Sequence, residues 1–207
     1  MRERIAAELK HHAPFTAFGA VTGVIIMLII ALTGALIQVN RISETLFYIL
    51  HPLHVTFSAI VITSMYRKYK PGKIWLAVLV GFVIAVGMAT LSDSLIPYLG
   101  EWALNLPNRE LHIGFLEEWW LVNPAAFLGI LIGMLKPTTK FPHSAHVLIS
   151  TWASLFHIVM ALGATVSGVQ FVIIFIFLFL AVWGPCCLSD IALPLVVVGK
   201  YLPEEHT

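Results

Sequence analysis

The sequence predicts an all-α membrane protein: six transmembrane helices forming one integral membrane domain over residues 1–207, arranged as two inverted three-helix repeats. Three observations lead there. The composition is 59% hydrophobic and 11% charged, with mean hydropathy +0.91. The apolar residues gather into six long runs. Two pairs of polar motifs recur in the same order in the two halves. A soluble domain of this size has no use for so much apolar surface, whereas each bilayer-spanning helix needs about 20 mostly apolar residues.

The runs fall at roughly 15–37, 46–66, 74–99, 119–135, 144–166 and 169–198. The fourth is short. The sixth is long enough to be broken, and Gly184-Pro185 is the natural break, because proline removes a helical hydrogen bond. Between the third and fourth runs, Gly100 to Glu118 carries Trp102, Pro107, Trp119 and Trp120, which suits a segment at the water interface. Of the twelve Lys and Arg, ten lie on one side: Arg2, Arg4 and Lys10; Arg67, Lys68, Lys70 and Lys73; Lys136 and Lys140; Lys200. Only Arg41 and Arg109 lie on the other. Positive residues stay inside, so both termini are expected in the cytoplasm and the chain in the cell (inner or plasma) membrane.

The net charge of +1 gives no reason to expect a nucleic-acid partner. Cys186 and Cys187 are adjacent, a spacing that does not readily close a disulfide. Residues 1–10 are charged and precede no short apolar core with a small-residue cleavage site, so they do not read as a signal peptide.

The motif His-x-x-His-Val-x-apolar-Ser occurs at His51 to Ser58 and again at His143 to Ser150. Leu-Ser-Asp-x-x-x-Pro occurs at Leu91 to Pro97 and again at Leu188 to Pro194. The offsets are 92 and 97 residues. The repeat units span about 11–100 and 117–200. Each has three helices, so the two must enter the membrane from opposite faces. This architecture is similar to inverted-repeat transporters in general, in topology only.

The inversion sorts the polar residues into two sets. His51, His54 and Asp93 are expected toward the outer face, joined by Glu117, Glu118 and His157. His143, His146 and Asp190 form the mirrored inner set, with Cys186 one turn before Asp190. Counted from the ends of the apolar runs, the motif residues lie roughly 8–12 Å deep. Pro52, between the first histidines, is read as a first-turn proline.

Histidines at i and i+3 share a helix face and can reach one ion, with a carboxylate from another helix as third ligand. Imidazole suits Zn and Fe, carboxylate extends the range to Mn, and thiolate draws it back toward Zn. A single His near a helix end is ordinarily a snorkelling or hydrogen-bonding residue. His11, His12 and His112 are assigned to interface or loop surface, and His206 to the tail. An intramembrane Asp, by contrast, costs on the order of 3 kcal/mol and is functional by default. Gly19-x-x-x-Gly23 and Gly129-x-x-x-Gly133 are read as close helix-packing motifs.

The expected function is secondary transport of a divalent transition-metal ion of the Zn, Fe or Mn type, with protons as a candidate coupling partner and a homodimer as a candidate assembly. The chain is read as a transporter before an enzyme. The alternative is an intramembrane metal-dependent hydrolase using one His-His-Asp/Glu site, although H-E-x-x-H and G-x-S-x-G are both absent. A haem- or quinone-binding subunit, with His54 and His157 as facing ligands, ranks third.

Overall fold

A computed structural model describes residues 2–69, 73–136 and 140–187, omitting the side chains of 2–12, 15, 69, 140–144 and 187. The described residues are helical with short connections and contain no strand. They form α1 (Arg2–Leu32), α2 (Leu36–Tyr69), α3 (Ile74–Thr90), a π-helical turn (Leu91–Leu95), α4 (Ile96–Ala103), α5 (Gly114–Glu117), α6 (Trp119–Leu135), α7 (Lys140–Ala161) and α8 (Gly168–Cys187).

Three helical segments are long and apolar enough to cross a membrane: Leu36–Lys68, Ile74–Ala103 and Gly168–Cys186. Three shorter apolar helices accompany them, Thr16–Leu32, Trp119–Leu135 and Ala145–Ala161. Large apolar side chains such as Ile29, Leu79, Val83, Leu131 and Val172 point outward from the bundle, as helices solvated by lipid tails require. Trp102, Trp119 and Trp120 are exposed around the connection from α4 to α6.

The second helix is longer than its apolar run. It starts at Leu36, so Arg41 and Glu44 are helical and His51 lies fifteen residues in. Nothing between 36 and 46 breaks a helix, and Asn40 has a use there. Its side-chain amide donates to the carbonyls of Val159, Met160 and Leu162 at 2.9, 2.7 and 3.3 Å, capping the carbonyl end of α7. Pro52 therefore sits inside α2 and not in its first turn. The sixth run also differs from expectation: α8 continues through Gly184 and Pro185 to Cys187, unbroken at that pair.

Helices α2 and α7 form the antiparallel centre of the bundle. Asn40 meets Val159, Phe47 meets His157, and His54 meets His146. The glycine pairs flank this axis. A Cβ on Gly129 would lie 2.3 Å from the Thr56 carbonyl oxygen and 2.8 Å from Ala59 Cβ; one on Gly133 would lie 2.8 Å from the Ile60 oxygen. Thus α6 lies directly on the α2 backbone. On the other side, Gly19 sits against Thr151 and Gly23 against Leu155, placing α1 on α7. Buried Ala20, Met27, Leu155, Ile158 and Leu178 tie α1, α7 and α8 into one core cluster. Ala59, Ile62, Tyr66, Val80 and Ile130 do the same for α2, α3 and α6.

Candidate metal centre

Asp93 organises the interior. It lies in the π turn, where the Ile96 N–H bonds the Leu91 carbonyl and the extra residue re-aims the carboxylate inward. Two α7 hydroxyls fasten this turn: Ser154 Oγ donates to the Ser92 carbonyl at 3.0 Å, and Ser150 Oγ donates to Asp93 Oδ1 at 2.8 Å. Ser92 Oγ donates to the same oxygen at 2.6 Å. The other carboxylate oxygen, Oδ2, lies 2.9 Å from His51 Nδ1 and 2.7 Å from His54 Nδ1. All of these side chains are buried.

The chemistry follows from counting donors. An ionised carboxylate is acceptor-only with about four lone-pair sites, and here four donors fill them. The two Nδ1 atoms therefore carry protons, and in a neutral ring Nε2 would present a lone pair. A carboxylate holding a histidine in this way fixes its tautomer and raises its basicity as a ligand.

His54 Nε2 points to a second group of residues. Ligand atoms of His54 on α2, His146 on α7 and Cys186 on α8 all lie within 4.8 Å of one another, and all three residues are buried. The His54 and His146 rings stack with centroids 5.4 Å apart and planes 19° apart. Cys186 Sγ is 3.9 Å from His54 Nε2 and 3.7 Å from Ser150 Oγ. Two imidazoles and a thiol within this span could hold a transition-metal ion, and a thiolate draws the set toward zinc-like ions.

The sequence had placed His146 and Cys186 on the opposite side from His51, His54 and Asp93. Instead, the structure brings His146 and Cys186 against His54. The side chain of His143 and the whole of Asp190 lie outside the described residues, so the expected inner set is represented by His146 and Cys186 alone.

The other expected members of the outer set lie elsewhere. His157 Nδ1 is 2.6 Å from Glu101 Oε1, both side chains fully buried. Glu117 and Glu118 line a cavity of about 530 Å3 at the Asn40 end of α2, together with Arg41, Glu44, Tyr48 and His112 among others. Glu117 accepts hydrogen bonds from the Tyr48 hydroxyl, from the Ile113 N–H at 2.9 Å and from His112 at 3.3 Å. Burial pushes the Glu117 carboxyl up, but these hydrogen bonds and the nearby imidazole outweigh it and hold the group below its ordinary range.

Sequence reasoning missed Glu101, Phe47 and Gly114. Glu101 follows the third apolar run, in the segment read as interfacial, and Phe47 lies in the second apolar run with nothing in its spacing to set it apart. Gly114 is needed because a Cβ there would meet the His51 ring at 2.8 Å. No spacing rule connects any of these to a histidine on another helix. No protein-family model matches the chain, and no curated protein or solved structure matches it either.

Proposed function

We propose that the protein is a secondary transporter for a divalent transition-metal ion, zinc-like before iron or manganese, built from two inverted three-helix repeats with six membrane spans. One observation carries the reading: His54 and His146, counterparts in the two motif copies, stack against each other at the buried crossing of α2 and α7 with the Cys186 thiol beside them.

The repeat is supported by more than this pair. Thr151 and Leu155, which receive Gly19 and Gly23, stand 92 positions after Ala59 and Thr63, which receive Gly129 and Gly133. The same offset of 92 relates His54 to His146. Helix α1 thus packs on α7 as α6 packs on α2. A substrate site at the interface of two such halves, beside a discontinuity in one helix, is the arrangement secondary transporters use for alternating access. The π turn at Asp93 is a local irregularity within one continuous helical segment, Ile74–Ala103.

In this reading the metal is cargo. His54 and His146 offer neutral nitrogens, and Cys186 binds after losing its proton, so loading depends on pH. Asp93 orients His54 without being a ligand itself. Fewer than four protein ligands leave an ion exchangeable with solvent ligands, as transport demands. With both termini cytoplasmic, the cavity lined by Glu117 and His112 faces outward and collects cations. The protein is accordingly assigned to the cell membrane.

A second reading, an intramembrane metal-dependent hydrolase, draws on Ser150, which lies 2.8 Å from Asp93 Oδ1 and 3.7 Å from Cys186 Sγ. Zinc content and zinc entry into proteoliposomes separate the two readings, compared between wild type and His54→Ala, His146→Ala and Cys186→Ser variants. Transport predicts that all three variants lose bound metal and flux together. Zinc bound by wild type without flux favours the hydrolase. Full zinc content in a His54→Ala/His146→Ala double variant removes the metal reading altogether.

A further inference from the structure

We propose that the Glu101–His157 pair is the proton-carrying site of this transporter, giving up one proton for each metal ion that enters the central site. The inference rests on the transport reading above and adds its coupling ion.

The pair has the features of a proton site and lacks those of a structural ion pair. Both side chains are fully buried, on α4 and α7, and share one short contact of 2.6 Å. Beyond it, Glu101 Oε2 and His157 Nε2 find no hydrogen-bond partner among the described residues. Buried polar atoms are nearly always paired, and a static ion pair is tolerated only when its remaining donors and acceptors are satisfied. A group that must accept and release a proton keeps such positions open. Ionisable residues within a membrane bundle are costly, and they mark ion and proton pathways.

The surroundings provide a route on one side and a partition on the other. The His112 ring stands perpendicular to His157 at 5.5 Å, and His112 contacts Glu117 at the cavity. Protons therefore have titratable groups leading from the cavity to the pair. On the other side, Phe47 stacks on His51 at 5.2 Å and meets His157 at a steep angle at 5.3 Å. Among the described residues, the titratable groups in ring contact on this side are His112 from the connection before α5 and, behind Phe47, His51 from α2. On α8, the Phe177 ring packs on Gly100, next to Glu101.

The charge states determine the exchange. Ionised Glu101 with neutral His157 carries one negative charge, and one added proton, on either residue, brings the pair to zero. A dication arriving at His54, His146 and Cys186 in the same low-dielectric bundle favours the negative state and expels that proton. Return of a proton to the pair favours release of the metal. No other co-reactant is needed.

The test uses proteoliposomes that report internal zinc and internal pH, made with wild type, Glu101→Gln and His157→Gln. In wild type, zinc entry is accompanied by proton exit, and an imposed pH gradient drives zinc accumulation. In both variants, zinc-for-zinc exchange persists and proton exit per zinc falls from two, one from the pair and one from Cys186, to the one from Cys186, while gradient-driven accumulation falls by about tenfold, an ordinary size for a coupling between two sites. Zinc flux in wild type without proton movement overturns this inference and leaves the transport reading standing. Wild-type accumulation in Glu101→Gln, or loss of zinc binding and exchange in both variants, also overturns it, the latter by making the pair structural. Absence of any zinc flux in wild type overturns the transport reading, and this inference with it.

Discussion

Replacing Asp93 with Asn separates what its charge does from what its shape does. The carboxylate receives two imidazole N–H groups on Oδ2, at 2.9 and 2.7 Å, and two hydroxyls on Oδ1, at 2.6 and 2.8 Å. An Asn side chain can keep its carbonyl toward both histidines and turn its NH2 toward Ser92 and Ser150. A hydroxyl can accept as well as donate, so both serines rotate and the network survives. What disappears is the negative charge that makes His54 a strong ligand. Loss of such an outer partner typically weakens metal binding by about 10- to 100-fold, or about 1.4–2.7 kcal/mol. Asp93→Ala behaves differently. It strands two buried imidazole N–H donors at about 1–3 kcal/mol each, while Ser92 and Ser150 keep acceptors at the Ala89 carbonyl, 3.2 Å away, and at Ser92 Oγ, 3.3 Å away, so the fold loses a large part of a domain's ordinary stability. The assay is competition for zinc against a chromophoric chelator in detergent, with thermal unfolding of the same samples. Wild-type zinc affinity in Asp93→Asn would refute the orienting role. So would a fold as badly damaged in Asp93→Asn as in Asp93→Ala, because the hydroxyls would then not have adapted.

Two further perturbations probe packing and pH. Gly129→Ala drives a methyl group to 2.3 Å from the Thr56 carbonyl oxygen, a backbone atom that cannot step aside. It should destabilise the α2–α6 contact by about 1–3 kcal/mol, whereas Gly87→Ala, with nothing within 4 Å, should be neutral or stabilising by about 0.5–1 kcal/mol. Melting temperatures in one detergent compare the two, and equal shifts would contradict the assignment. Glu117 has a folded-state value below its ordinary one, so its contribution is complete above the usual carboxylate range, near pH ~4.3. That contribution is lost as pH falls through the lower folded value. The melting-temperature gap between wild type and Glu117→Gln should shrink on acidification, and a gap that widened would reverse the sign of the argument.

The residue types of the centre were legible in the sequence because lipid makes them conspicuous. Histidine and aspartate are expensive at membrane depth, so His51, His54, Asp93 and His146 stood out, and the i, i+3 spacing put each His pair on one helix face. The glycine motifs were legible for a similar reason, since small residues four apart have few uses except close packing. Glu101 and Phe47 gave no such signal. Each acquires its meaning from a residue on another helix, and single-chain periodicity carries no information about which helices touch.

The position of His51 and His54 along their helix differs from expectation for a physical reason. Apolar runs measure where a helix meets lipid, whereas a helix continues wherever its backbone bonds are satisfied. Arg41 and Glu44 ended the run near residue 46, yet α2 begins at Leu36, and ten extra residues amount to about 15 Å of helix. With that added length, His51 and His54 lie near the middle of α2. The antiparallel register, fixed by Asn40 on the end of α7 and Phe47 on His157, then brings His54 to its own counterpart His146. Two motif copies related by inversion can lie apart, near opposite faces, or meet at the axis that relates them, and the 92-residue offset alone does not distinguish these. The crossing point does, because equivalent residues of two antiparallel helices meet only where the helices cross. Here the motif histidines meet, so a metal held there would be bound by both motif copies at once. In the transporter proposed above, rocking one half against the other at this point would change which side the ion can reach.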